Sequence, residues 1–162
     1  KDSMGSHGVI SKGEVQVMSA GTGIRHSEFN HNPDKETSLL QIWVIPEKRN
    51  VEPRYDQKEY SLEETHNRLL NIVSPAGSPG GIHIHQQAWF SLGNLDKDFQ
   101  TGYSLKKKDN GVYAFVIRGS VTINGQKLEN RDGLGISGTD QLDITANEDS
   151  ELLLMEVPMQ LN

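Results

Sequence analysis

Two histidine-containing patterns in this sequence have the residue types and spacing of metal ligands. The first is His26-Ser27-Glu28, which follows a glycine-containing turn at residues 20–23. On an extended strand, residues two apart point to the same face, so the imidazole and the carboxylate are expected to lie side by side. One nitrogen and one oxygen donor suit a divalent ion such as Fe(II), Mn(II) or Ni(II). Two ligands alone do not make a site, and an exposed polar pair is the alternative.

The second pattern is His83-Ile84-His85. Ile82 and Ile84 are expected to face one way and the two histidines the other. Paired imidazoles at this spacing are a common metal-ligand arrangement, but no carboxylate follows within the next five residues. A solvated edge strand is therefore the alternative. The other histidines lie in polar, turn-like contexts and are predicted to be surface residues: His7, His31 and His66.

Charge and cysteine content exclude several classes of function. The 162 residues include 16 Lys or Arg and 22 Asp or Glu, a net charge of −6, and this average field disfavours direct contact with nucleic acid. The chain has no cysteine, which excludes a thiolate nucleophile, a disulfide framework and a cysteine-ligated zinc site. The absence of cysteine fits a reducing compartment, and a cytoplasmic location is expected. The longest apolar stretch near the end, residues 152–155, is far too short to span a bilayer, so no membrane partner is expected.

The elements that must position these side chains are predicted to be short strands. Sixteen glycines and six prolines favour turns over long helices. Val15 and Val17 alternate with polar residues, as in a half-buried strand. The apolar run at 39–45 predicts a strand buried on both faces, and the aromatic residues in such strands are expected to pack in the core. They are Trp43, Trp89, Phe90, Tyr113 and Phe115.

The remaining elements fit one β-rich arrangement. The charged, proline-containing stretch 46–60 is the best candidate for a linker. Ser61-Leu62-Glu63-Glu64 has the pattern of a helix capping box. From residue 69 onward, apolar runs recur at a spacing of roughly 8–12 residues, which indicates a β-sandwich or barrel. Asn124-Gly125 between two of them predicts a type I′ hairpin turn, because both residues tolerate positive φ.

Several longer segments resemble the pirin family, closest to the bacterial pirin-like proteins with quercetinase activity. The similarity runs over essentially the whole chain and is carried by residues 2–10, 13–28, 40–46, 53–57, 121–125 and 132–134. Pirins are bicupins, with two small antiparallel β-barrels in one chain. The resemblance therefore implies an all-β, cupin-type antiparallel β-barrel or sandwich. It also implies a chain that lacks the first half of its N-terminal barrel, with residues 1–58 as the rest of that barrel plus a linker and residues 59–162 as the second barrel.

The resemblance also implies a mononuclear metal site in the first barrel. The family's ligands there are an early His-x-His pair and a later His-x-Glu pair, and the later pair matches His26 and Glu28. The early pair is expected some forty residues before His26, upstream of Lys1, so the site is expected to be incomplete in this chain. Fe(II) is the first candidate for the metal, with Mn, Ni, Cu and Zn as alternatives. The second barrel of pirins generally carries no metal, which favours a structural role for His83 and His85.

The function implied is that of a metal-dependent dioxygenase of the quercetin 2,3-dioxygenase type, acting on flavonols or related small aromatic substrates. Glu28 would be both a ligand and the base that takes the substrate hydroxyl proton, and the chain is expected to be inactive if its missing part is not supplied. A non-enzymatic, redox-responsive partner of other proteins is the alternative. A third hypothesis is a stable but inactive remnant. Unpaired strand edges in a half-barrel also favour a homo-oligomer.

Overall fold

The computed structural model describes residues 8–23 and 25–160, and the regular structure there is almost all β-strand, as predicted. Within those residues the chain forms twelve strands and one single-turn helix. In chain order they are β1 (Glu14–Ser19), β2 (Arg54–Glu59), α1 (Leu62–Thr65), β3 (Leu70–Pro75), β4 (Ile82–Ile84), β5 (Trp89–Leu95), β6 (Gln100–Ser104), β7 (Asn110–Arg118), β8 (Val121–Ile123), β9 (Gln126–Leu128), β10 (Gly133–Ile136), β11 (Gln141–Ala146) and β12 (Ser150–Pro158).

The strands form three sheets. The largest has six strands in the order β10-β7-β12-β5-β3-β4, the second has four in the order β6-β11-β8-β9, and β1 pairs only with β2. Neighbouring strands are antiparallel except for β3 and β4, which run parallel. Strand β4 is therefore an edge strand of the six-stranded sheet, as expected for the alternative interpretation of its histidines.

The main core lies between the two larger sheets. Leu142 and Ile144 of β11 join Val116 of β7 and Leu152 and Leu154 of β12 in one buried apolar cluster. The two residues of β11 are two apart, as are those of β12, so each of these strands points one face at this core. Because the cluster draws on both sheets, they pack face to face as a sandwich or barrel.

A second apolar cluster covers the opposite face of the six-stranded sheet. Leu153 and Met155 of β12 point there, alternating with the two leucines of the main core. Val15 and Val17 of β1 pack against this cluster, which confirms that they share one face. The antiparallel pair β1–β2 thus covers the outer face of the sheet. The division between residues 58 and 59 stays a prediction.

Two local motifs form as the sequence predicts. The Ser61 side chain accepts a hydrogen bond from the Glu64 backbone N–H, and the Glu64 carboxylate accepts one from the Ser61 N–H, so the capping box at α1 is complete. Between β8 and β9, Asn124 and Gly125 have φ values of 48° and 82°. Both angles lie in the left-handed region that the type I′ turn requires.

Two predictions about the N-terminal third are wrong. Residues 39–45 form no strand and Trp43 is 87% exposed, because no described strand lies beside this segment to take its backbone hydrogen bonds. Val44 of this run is half-buried against the outer apolar cluster. The supposed linker 46–60 contains β2, which pairs residue by residue with β1. A strand with a single partner and one open face tolerates the charged residues that suggested a linker.

A fully buried carboxylate fixes the loop between β6 and β7. Glu156 accepts hydrogen bonds from the backbone N–H groups of Lys106 and Lys107, at 2.8 and 2.9 Å, and from the Asn110 side chain at 2.9 Å. The Tyr103 hydroxyl donates a further bond of 2.8 Å. Burial and the adjacent Glu156 charge raise the pKa of Tyr103, so this hydroxyl remains a donor. A charge in the interior is tolerated here because four groups donate to it.

Replacement of Glu156 is expected to be strongly destabilising. Glu156→Ala leaves these donors buried and unpaired, which should lower the free energy of unfolding by about 3 kcal/mol or more. The amides of Lys106 and Lys107 should also exchange with solvent faster. Glu148→Ala, at an exposed position, is the matched control and should change stability by no more than about 0.5 kcal/mol. Denaturant titration that found the two variants equally stable would contradict the role given to Glu156.

Candidate functional site

His26 and Glu28 lie close together after the turn at residues 20–23. The Nε2 atom of His26 is 3.9 Å from Oε1 of Glu28, and the two side chains are 34% and 47% exposed. The predicted juxtaposition is therefore present, although the segment is not part of a strand. An imidazole nitrogen and a carboxylate oxygen at this separation are close enough to contact one small ion. Their exposure leaves room for the ion and for a bound molecule.

A close backbone contact places this segment. Gly21 has a φ of 54°, and a Cβ atom there would collide with the carbonyl of Val51, just ahead of β2. The turn is also closed by a 2.8 Å hydrogen bond from the Gly23 N–H to the Ala20 carbonyl. Only glycine combines this conformation with this approach. The turn thus fixes where the chain leaves β1 and begins the segment that carries His26 and Glu28.

The donor set fits part of a metal coordination sphere. Neutral imidazole and carboxylate are ligands that several divalent ions accept. Among residues 8–23 and 25–160, no group of three or more His, Cys, Asp or Glu side chains is arranged to hold a metal. His26 and Glu28 therefore supply two donors. The described part of the chain brings no third candidate to them.

The second histidine pair lies in a different environment. The ring centroids of His83 and His85 are 6.2 Å apart and the rings are nearly perpendicular. Arg54 of β2 donates from Nη1 to Nδ1 of His83 at 3.0 Å and from Nη2 to the His83 carbonyl. Asp56 is 3.4 Å from the same guanidinium. Arg54 is the residue that sequence reasoning missed, because only the fold brings it to a histidine 29 positions away.

Burial lowers the pKa of the His83 imidazole, and the Arg54 guanidinium and the His85 ring lower it further, against the opposing effect of Asp56. The neutral ring accepts from Arg54 at Nδ1, so its proton is on Nε2.

His83 and His85 line a cavity of about 460 Å³ together with Arg54 and the segment 51–53. This second pair is not part of any metal-holding group among the described residues.

The described histidines outside these two pairs are exposed, and the aromatic residues differ in their burial. His31 is exposed, as predicted. His66 is also exposed, but its Nε2 lies 2.9 Å from Oδ2 of Asp96, and hydrogen bonds from Asn67 and His66 hold the pKa of Asp96 below its usual range. His7 lies outside the described residues. Of the five aromatic residues expected in the core, Phe90 is buried and Trp89 and Phe115 are half-buried. The other two are exposed, Trp43 by 87% and Tyr113 by 46%.

Trp43 and Tyr113 are instead found at an apolar cavity of about 230 Å³. Phe90 and Met155 of the six-stranded sheet are among the other residues that line it. A hydrogen bond of 2.8 Å from the Gln86 side chain to the Ile45 carbonyl fastens the exposed segment 42–45 across this face.

Comparisons with known proteins agree with the fold. Residues 71–157 match the family model of the quercetinase C-terminal cupin domain, and residues 1–44 match the pirin model. The chain is 38% identical over 158 residues to quercetin 2,3-dioxygenase of Escherichia coli strain K12, covering 98% of this chain and 67% of that protein. The crystal structure of YhhW from Escherichia coli matches with a TM-score of 0.92 at 36% identity, covering 100% of this chain and 68% of that one. The bacterial pirin YhhW in complex with nickel(II) gives a TM-score of 0.83 at 38% identity, covering 90% and 62%.

The two larger sheets around one core define a cupin-type β-barrel protein. The extent and identity of the matches are specific enough to go further: the chain belongs to the pirin family. It spans about two thirds of the length of these relatives. No helix in the described part of the chain is long and apolar enough to cross a membrane.

The depressed pKa of His83 predicts a pH dependence of stability. The pKa of this imidazole is below 6.5 in the folded chain, whereas it is about 6.5 in the unfolded chain. At a pH between the folded and unfolded pKa values, the unfolded chain therefore binds more protons. The free energy of unfolding should therefore fall as the pH drops through about 6.5, and this loss should stop below the folded pKa. His83→Gln should show a smaller stability difference between pH 7.5 and pH 5.5, approximate conditions that bracket the ordinary histidine pKa. An unchanged difference in denaturant titrations would contradict this assignment.

Proposed function

We propose that this chain carries part of the metal site of a quercetinase-type dioxygenase, with His26 and Glu28 as two ligands of one divalent metal. The observation that supports this best is the exposed imidazole–carboxylate pair, 3.9 Å apart, in a chain 38% identical to a quercetin 2,3-dioxygenase. The nickel(II) complex of YhhW supports a divalent metal in the family. Fe(II) remains the first candidate, with Mn, Ni, Cu and Zn as alternatives.

The roles of the two residues follow from their chemistry. His26 offers a neutral imidazole nitrogen, and Glu28 offers a carboxylate oxygen on the same side of the segment. A bound divalent metal supplies Lewis-acid chemistry toward an oxygen-bearing substrate. Glu28 is the catalytic residue of the proposal, because its second oxygen can accept the hydroxyl proton of a flavonol held beside it. A small aromatic alcohol of this kind is the proposed substrate class.

The number of donors limits what the chain does alone. Metal affinity depends on the full ligand set, and water or substrate must fill the positions that His26 and Glu28 leave open. We therefore expect this chain by itself to bind metal weakly and to turn over little flavonol. A version lengthened to match the relatives should bind more tightly.

Metal affinity should depend on Glu28. Loss of an outer-shell partner already costs about 10–100-fold in metal affinity, so Glu28→Gln should weaken Fe(II) or Ni(II) binding by at least ~100-fold in the lengthened protein. Glu36→Gln removes the same charge at an exposed position of the same segment and should leave affinity unchanged. Titration calorimetry and metal content after dialysis measure both. Equal affinities for the two variants would overturn the ligand assignment.

Measurements of flavonol turnover distinguish a dioxygenase from a non-enzymatic binding protein. The lengthened, metal-loaded protein should consume quercetin and dioxygen together, and Glu28→Gln should abolish this while Glu36→Gln retains it. Oxygen-electrode and absorbance measurements follow the two reactants. Tight, Glu28-dependent metal binding without any flavonol consumption would contradict the dioxygenase and favour a non-enzymatic binding protein.

A further inference from the structure

The cavity between β2 and β4 has features of a ligand site that the proposed metal centre does not use. Its volume of about 460 Å³ is in the range of small-molecule pockets and far exceeds the space that a single ion needs. Val51 and Pro53 contribute apolar surface, while Arg54, His83 and His85 contribute nitrogen groups. This combination suits a molecule with a charged end and an apolar body.

Arg54 places a positive charge at the His83 end of this cavity. The Arg54 guanidinium is permanently positive and is held against His83 by two hydrogen bonds. Burial and then this charge lower the pKa of the His83 ring. The positive charge that opposes a proton here also opposes a metal cation. The Asp56 carboxylate lies 3.4 Å from Nη1 of Arg54 and opposes this charge on the β2 side.

The hydrogen-bonding groups also favour an anion. Since Nδ1 of His83 accepts from Arg54, Nε2 carries the proton and is available as a donor. Arg54 Nε–H has no acceptor among the described residues, although this atom is itself buried. Arginine and imidazole N–H groups are the usual partners of carboxylate and phosphate oxygens.

We propose that this cavity binds a small carboxylate with an apolar, ring-sized body. The carboxylate lies at Arg54 and His83, and the apolar body lies against Val51 and Pro53. Glu52 also lines the cavity, and its negative charge opposes such a ligand. The opposite charges of Arg54 and Glu52 allow a test in two directions. Loss of Arg54 should weaken the binding of an anion, and loss of Glu52 should strengthen it. The binding of a cation would change in the opposite directions.

The test is calorimetric and NMR-monitored titration of the full chain with benzoate, with a chelator present to keep the His26–Glu28 pair free of metal. Benzamide, which has the same ring without the charge, and inorganic phosphate, which has the charge without the ring, are the comparison ligands. Benzoate should bind saturably and shift the ring protons of His83 and His85, and both comparison ligands should bind more weakly. No saturable benzoate binding at millimolar concentrations, or tighter binding of phosphate or benzamide, would overturn the proposal.

Variants locate the site. Arg54→Gln should weaken benzoate about tenfold or more, the effect of losing one charge-assisted bond, while the remote Arg118→Gln should have no effect. Arg54 also joins β2 to β4, so its replacement can disturb the local structure as well as the site. Glu52→Gln, at an exposed position, avoids this problem. It should strengthen benzoate binding by about two- to fivefold. Weaker binding by Glu52→Gln would overturn the proposal. So would loss of benzoate binding in Glu28→Gln, since that result would place the ligand at the metal pair.

Discussion

The six-stranded sheet has apolar side chains on both of its faces, and the rest of the molecule is arranged to cover them. Strand β12 shows this most directly, because Leu152 and Leu154 point into the main core while Leu153 and Met155 point into the outer cluster. A sheet with two apolar faces must be covered on both sides if its apolar side chains are to be removed from water. The four-stranded sheet covers one face. The β1–β2 pair, with Val44, covers the other.

The β1–β2 pair and the segment that connects its strands carry the candidate metal ligands and Arg54. His26 and Glu28 lie in the connection between β1 and β2, and Arg54 begins β2. Polar contacts join this cover to the sheet edge: Arg54 binds His83, and the Glu47 N–H donates to the His85 carbonyl at 2.8 Å. The apolar outer face therefore determines where these groups lie, and the polar contacts at its edge fix their orientation. The same arrangement lowers the pKa of His83, by burying its ring and by placing the Arg54 charge beside it.

Local patterns in the sequence were sufficient to predict much of the barrel. The alternation of Val15 and Val17, the Asn124-Gly125 turn and the Ser61 capping box each depend on neighbouring residues, so each could be predicted without the fold. Residues 39–45 show the limit, because an apolar run reports what a segment can bury and does not report whether a partner strand lies beside it. Arg54 and His83 show a second limit, since a contact between residues 29 apart depends on the packing of two sheets. The closeness of His26 and Glu28 was predictable from their spacing, whereas the proposed role as ligands came from the family resemblance.

The central claim is that His26 and Glu28 together hold a divalent metal. Anomalous diffraction from crystals of the metal-loaded protein, recorded on both sides of the metal's absorption edge, tests it without reference to any substrate. The account predicts one strong peak within bonding distance of the His26 imidazole and the Glu28 carboxylate. A peak at His83 and His85 instead, or full metal occupancy with neither His26 nor Glu28 in contact, would contradict it.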